Sequence, residues 1–134
     1  MSVFTKKEIE YLGEQRLGRL ATVDREGGPH VVPVAFRYNP EFDTVDIGRH
    51  NIAASKKFRD AEKTGRAAFV VDDVLPPWRA RGVEIRGRAH VFSVGGGEVV
   101  PDFSEELIRI FPRRIVGWGI DSNAFRPHSR SVDA

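Results

Sequence analysis

Cysteine is absent from these 134 residues, which rules out disulfides, thiolate metal sites and a cysteine nucleophile. No apolar run approaches the ~20 residues of a membrane-spanning helix, and the opening MSVFTKKEIE lacks the apolar core of a signal peptide. A soluble, cytoplasmic protein with no membrane partner is therefore expected. Charge of one sign is also scarce in the balance. The net value of +2 comes from 21 Lys and Arg against 19 Asp and Glu, which suits an anionic ligand and argues against a dedicated nucleic-acid binder. Neither a G-x-S-x-G elbow nor a P-loop occurs. His30, His50, His90 and His128 lack the i,i+4 spacing of a zinc helix, so no metal is expected.

Alternating apolar runs separated by turn residues dominate what is present. LGRLATV, HVVPVAFRY, TVDIG, RAAFVVDD, VEIRGRAHVF and RRIVGWGI each read as a strand at hairpin spacing. Between Val83 and Phe92 one face is apolar and small, the other charged. Helices are few. Thr5 and Glu8 fit a capping box, Phe4 can staple onto Ile9, and the helix runs to about Gln15 with Ile9 and Leu12 inward. A short helix is expected from Ser104, ended by Pro112, and the glycines 95–97 read as a flexible connection. The expectation is a mainly β chain, a small barrel that closes its own edges, as a single domain over 1–134 whose residues 121–134 form a loosely held polar tail. Pro33 lies mid-strand and cannot donate to a ladder, which makes its strand an edge, or an interrupted ladder whose backbone is free to bond a flat heterocycle.

The basic stretch RHNIAASKKFRDAEKTGR, residues 49–66, carries the main functional signal. Asn51 fits an N-cap, and Ala54, Phe58 and Ala61 then share a helical face. Lys56 and Lys57 fall near the helix start, with Arg49 just before it. Cations are unfavourable where the macrodipole is already positive, so their presence suggests a compensating anion such as a phosphate. The competing explanation is a solvated basic helix face.

In order, LGRLATVDREGGPHVVPVAF, SKKFRD, GRAAFVVDD with PPWRARGVEIRGRAHVF, and RRIVGWGI resemble the pyridoxamine 5′-phosphate oxidase-like superfamily of flavin and deazaflavin split-barrel proteins. The resemblance covers roughly residues 4–120. The VDD…PWRARGVEIRG segment and the WGI ending look like the branch of small reductases that use coenzyme F420, which includes tetracycline-pathway reductases. What it implies is a homodimeric split β-barrel of the FMN-binding type with two cofactor grooves at the subunit interface. The ring would lie against Val32, Pro33 and Val34, and the phosphate would meet Arg49, His50, Asn51, Lys56 and Lys57. Trp78 and Arg79 would approach from the partner subunit. The arginines Arg79, Arg81, Arg86 and Arg88 could hold the carboxylate-rich tail of coenzyme F420.

The implied activity is hydride transfer from reduced deazaflavin to an unsaturated small-molecule acceptor. In such chemistry the protein orients and the cofactor reacts. Candidates to protonate the acceptor are His50, Tyr38 and Glu84, with solvent as the alternative. Trp78 could cover the cofactor or pack a dimer interface. FMN is the alternative cofactor, and a non-catalytic flavin- or haem-type binding protein is the alternative class.

Overall fold

Strands form where alternation predicts them, because each puts its apolar residues on one face and its turns hold Gly, Pro, Asn or Asp. The computed structural model describes residues 1–120 and 127–132. The order is α1 (Lys6–Glu14), β1 (Leu17–Val23), β2 (Pro29–Asn39), β3 (Thr44–Gly48), α2 (Lys56–Thr64), β4 (Arg66–Leu75), β5 (Arg79–Phe92), β6 (Leu107–Trp118) and β7 (His128–Ser131). The antiparallel sheet runs β3-β2-β1-β4-β5-β6-β7, and β3 pairs back with β6. Six strands thereby close into a barrel. Inside it lie Leu20, Val45, Ile47, Phe69, Val71, Val83, Ile85 and Ile115.

Helix α1 plugs one end. Thr5 and Glu8 form the expected capping box, and Phe4, Tyr11 and Leu12 are buried beneath it. The Glu8 carboxylate, itself buried, also accepts from Arg130 on β7, and a Cβ at Gly117 would obstruct that carboxylate. Residues 128–131 of the expected loose tail are thus held, by pairing with 114–117 of β6 and by Arg130. The rest of that tail lies outside the described residues.

Three local expectations are corrected. Residues 104–112 do not form a helix. β6 runs through Pro112, which sits opposite Gly87 beside a bulge where β6 carries one extra residue. That is where a sheet tolerates proline. The glycines 95–97 are packed rather than flexible. Gly96 donates to the Glu105 carbonyl at 2.7 Å, and a Cβ there would strike the Ser104 carbonyl. Strand β5 begins at Arg79, not Val83, because the β4–β5 ladder continues out to Leu75 opposite Arg79.

A buried ion pair staples β3 to β6. Asp46 accepts from Arg109 Nε at 2.9 Å and Nη2 at 3.0 Å, from Asn39 Nδ2 at 2.8 Å and from Thr44 Oγ1 at 3.0 Å. The Arg109 guanidinium lies 4.4 Å from the Phe42 ring centroid and 4.8 Å from that of Phe92. Asp46→Ala leaves that guanidinium buried without its anion, a loss of about 3–5 kcal/mol. Urea denaturation reads it directly, and a loss below about 1 kcal/mol would show the pair to be dispensable to the closure.

Candidate cofactor groove

β2 outruns its neighbour. Residues 35–39 pair with β3, whereas residues 29–34 pair only with β1 on the other side. Pro33, opposite Arg19, falls in that one-sided half, so the edge reading of the proline holds. Beside the open edge the chain leaves β3 at Gly48, passes Asn51 in the left-handed region (φ 54°), and enters α2. A groove of about 470 Å³ results. β2 contributes His30 and Val32, the connection contributes Arg49 and Asn51, and the start of α2 contributes Ser55, Lys56 and Lys57.

The cap of α2 is Ser55, whose Oγ accepts from Phe58 N at 3.4 Å, and Asn51 makes no side-chain cap. A single 3₁₀ turn, Ile52–Ala54, intervenes, which displaces the expected cap by four residues and leaves Ala54 exposed outside the helix. The shift makes Lys56 and Lys57 the first two helical residues. Their backbone N–H groups are among those a helix start leaves without an internal partner. Asp60 and Thr64 anchor the helix across β1: Thr22 Oγ1 donates to Asp60 at 3.1 Å, and Thr64 Oγ1 to the Val23 carbonyl at 3.3 Å.

The two lysines differ in kind. Lys56 Nζ lies 3.3 Å from Asp60 and 3.8 Å from Asp24, so carboxylates already neutralise it. Lys57, a buried residue, has no hydrogen bond or ion pair among the described residues. Its pKa is lowered first by burial and then by the Arg49 charge. A half-desolvated ammonium facing a second cation is a group that an anion would relieve. Asp24 is fixed by the N–H groups of Gly28 and Glu26 at 2.8 and 3.0 Å, chiefly the former, and these hold its carboxyl below the ordinary value. It lies 3.5 Å from His30 Nε2.

The other expected site residues scatter. Val32 lines the groove, Val34 points into the barrel core, and Pro33 is exposed between them. His50 borders the groove but turns to Phe103, ring centroids 5.2 Å apart, while Asn51 N donates to Ser104 Oγ at 2.6 Å. Tyr38 is not in the groove: its hydroxyl donates to Asp43 at 2.6 Å, and burial with that carboxylate raises its pKa. Glu84 is on the outer barrel face, 3.0 Å from Arg86. Trp78, 75% exposed, and Arg79 stand at the tip of the β4–β5 hairpin, away from their own chain's groove. Sequence reasoning missed His30, Asp24 and Ser55. The period of two that places Val32 also places His30 on its face.

A family model described as Pyridoxamine 5'-phosphate oxidase matches residues 4–119. The chain is 46% identical over 134 residues to the 5a,11a-dehydrotetracycline/5a,11a-dehydrooxytetracycline reductase of Streptomyces rimosus, spanning 98% of this chain and 94% of that protein. Among solved structures it is similar to a conserved hypothetical protein of Mycobacterium tuberculosis, with TM-score 0.69 and 20% identity over 99% of this chain and 94% of that one. It is also similar to an FAD binding protein of Mycobacterium smegmatis, with TM-score 0.66 and 18% identity over 97% of this chain and 100% of that one. These structural likenesses are ones of fold.

The lysine contrast has a stability signature. Because burial lowers the Lys57 pKa, the unfolded chain holds that proton more tightly than the folded one. The charge therefore opposes folding below the unfolded-state value of 10.5, and the penalty fades as pH rises towards it. Lys57→Met should raise the Tm of the free protein at pH 7, by an amount that shrinks towards pH 10. Lys56→Met should lower the Tm, because Asp24 and Asp60 lose their counter-ion. Thermal melts across that range check both, and the opposite pair of signs would exchange the roles of the two lysines.

Proposed function

This chain belongs to the pyridoxamine 5′-phosphate oxidase family, and we propose that within it the protein is a coenzyme F420-dependent reductase. Its acceptor would be an unsaturated polycyclic small molecule of the dehydrotetracycline kind. The observation that carries this reading is Lys57 at the start of α2, near Arg49 and without a partner among the described residues, next to the one-sided half of β2.

Those residues fit a flat ring with a phosphate side chain. Arg49 and Lys57 would hold the phosphate, helped by the first-turn N–H groups of α2. The one-sided backbone of residues 31–34 would meet the polar edge of the ring, and Val32 would support its face. Lys56 keeps Asp24 and Asp60 neutralised, so that their charge does not oppose the anion. When bound, reduced coenzyme F420 supplies a hydride to an electrophilic carbon of the acceptor, and a proton from solvent or a groove residue completes the reduction. His30, held 3.5 Å from Asp24, lines the groove and is placed for that proton better than Tyr38 or Glu84. Support for the acceptor class comes from the name of the Streptomyces rimosus relative, and support for the deazaflavin from the PPWRARGVEIRG segment.

The groove has one open side, and exposed apolar residues suggest what covers it. Leu17 is 60% exposed, Val31 67% and Val74 45%, the first two on the outer faces of β1 and β2. A second copy would cover them and bring its Trp78 and Arg79 towards the first copy's ring. Isologous pairing gives two equivalent grooves.

Fluorescence titration in matched buffer should give tighter binding of coenzyme F420 than of FMN, and tighter FMN binding would reassign the cofactor. Lys57→Met should weaken coenzyme F420 binding by about 1.5–3 kcal/mol, the worth of a charged hydrogen bond. Unchanged affinity would remove Lys57 from the site. Light scattering at micromolar concentration should give roughly twice the chain mass. A monomer that binds cofactor and turns over would place the whole site within one chain and end the roles given to Trp78 and Arg79.

A further inference from the structure

A second concentration of uncompensated cations lies at the other end of α2. Arg66 on β4 stands directly across from Arg88 on β5, and Arg86 directly across from Arg114 on β6. Like charges in directly opposed positions destabilise a sheet. Here two such pairs are adjacent. The β6 bulge adds another: Gly87 pairs with Pro112 and Arg86 with Arg114, so Arg113 is the extra residue. Bulges re-aim a side chain, and this one brings Arg113 into a pocket with Arg66, Arg86 and Arg88.

The pocket measures about 420 Å³, and Gly65 and Gly87 line it beside the arginines. A Cβ at Gly87 would strike the Phe111 carbonyl. Arg86 is paired, with Glu84 at 3.0 Å, but Arg66, Arg88 and Arg113 have no ion pair among the described residues. The C-terminus of α2 favours a nearby cation, yet a helix end amounts to only about half a charge. The three guanidinium groups of Arg66, Arg88 and Arg113 exceed it. Nor do these arginines extend to the hairpin tip. Arg79 is nine residues before Arg88 along β5, about 30 Å away at strand spacing. Arg81, between them, is committed to Asp73 at 2.8 and 3.0 Å.

We propose that this pocket binds a small polyanion, a molecule with two or more carboxylate or phosphate groups, at a site distinct from the cofactor groove. Guanidinium forks match both groups bidentately, and three strands supply them from different directions. The groove lies at the first turn of α2 and the pocket at Thr64 and Gly65, so about 13 Å of helix separates them. The anionic groups could belong to a separate molecule or to an extension of the molecule seated in the groove.

Calorimetric titration with inorganic tripolyphosphate tests the site, using the Lys57→Met protein to weaken the groove's own anion binding. Saturable binding, one per chain and weakened by salt, is expected. Arg66→Ser with Arg88→Ser should weaken it at least about tenfold, the worth of one charged hydrogen bond. The same double variant should melt no lower than its parent in the absence of ligand, since it removes an opposed like-charge pair. Retained affinity in the double variant, or no saturable binding by its parent, would overturn the proposal. A repeat on the wild-type protein with coenzyme F420 at saturation identifies the source. If tripolyphosphate is displaced, the anion belongs to the groove ligand's own extension. If it still binds, or if coenzyme F420 itself does not, the pocket serves a separate molecule. Either result leaves the site standing, and failure of the cofactor assignment is read separately in the groove titrations.

Discussion

The unequal lengths of two neighbouring strands create the candidate cofactor groove. β2 has 11 residues and β3 has 5, so the ladder between them stops halfway along β2. Had β3 continued past Gly48, it would have satisfied the edge of residues 29–34 and filled the groove. Instead the chain turns at Asn51 in the left-handed region, which asparagine adopts more readily than most residues, and starts a helix beside the vacated edge. Two side-chain bonds, Thr22 to Asp60 and Thr64 to the Val23 carbonyl, then fix α2 across β1. The open edge and the helix N-terminus are consequences of one interruption.

Closure elsewhere makes that interruption tolerable. β3 is fully buried and still pairs on its other side with β6, where Asp46 and Arg109 add a charged link to the backbone ladder. β6 divides its edge between β3 over 108–110 and β7 over 114–117. Its Pro112 falls between those two pairings, where neither needs an N–H donor from that position. The barrel is thus closed on the side away from the groove, while β2 keeps a free edge over residues 29–34.

Much of this was legible in the residues. TVDIG marks β3 to the residue, and Thr5 with Glu8 marks the start of α1, because both signals are local: alternation in one case, reciprocal capping in the other. Residues 104–112 misled for the converse reason. Their register is set by β3 and β5, and a proline reads as a helix stop unless the bulge beside it, visible only in the pairing with β5, is known. The candidate anion site was half legible. Two lysines at a helix start could be read from spacing, and Asp60 four residues after Lys56 hints at its partner, but the second carboxylate, Asp24, lies 32 residues earlier, and Lys57 is set apart by burial. Those last two leave no trace in the segment itself. Trp78 and Arg79 could be placed on a hairpin, and nothing in one chain says what that hairpin meets.

Charge counting would have missed both cationic sites, since the whole chain carries only +2. What distinguishes them is that cation stands beside cation in a pocket. Elsewhere several cations meet a carboxylate: Arg81 meets Asp73, Arg19 meets Asp72, Arg130 meets Glu8, and Lys56 meets Asp24 and Asp60. At Lys57 with Arg49, and again at Arg66 with Arg88, cation faces cation. Each arrangement costs stability that a paired or neutral residue would return. A stable fold tolerates such costs where function uses them. The two clusters occupy opposite ends of the same helix, so α2 does more than cover the barrel. Its first turn faces the candidate cofactor groove and its last turn borders the arginine pocket, and the bonds that pin it to β1 hold both at a fixed separation.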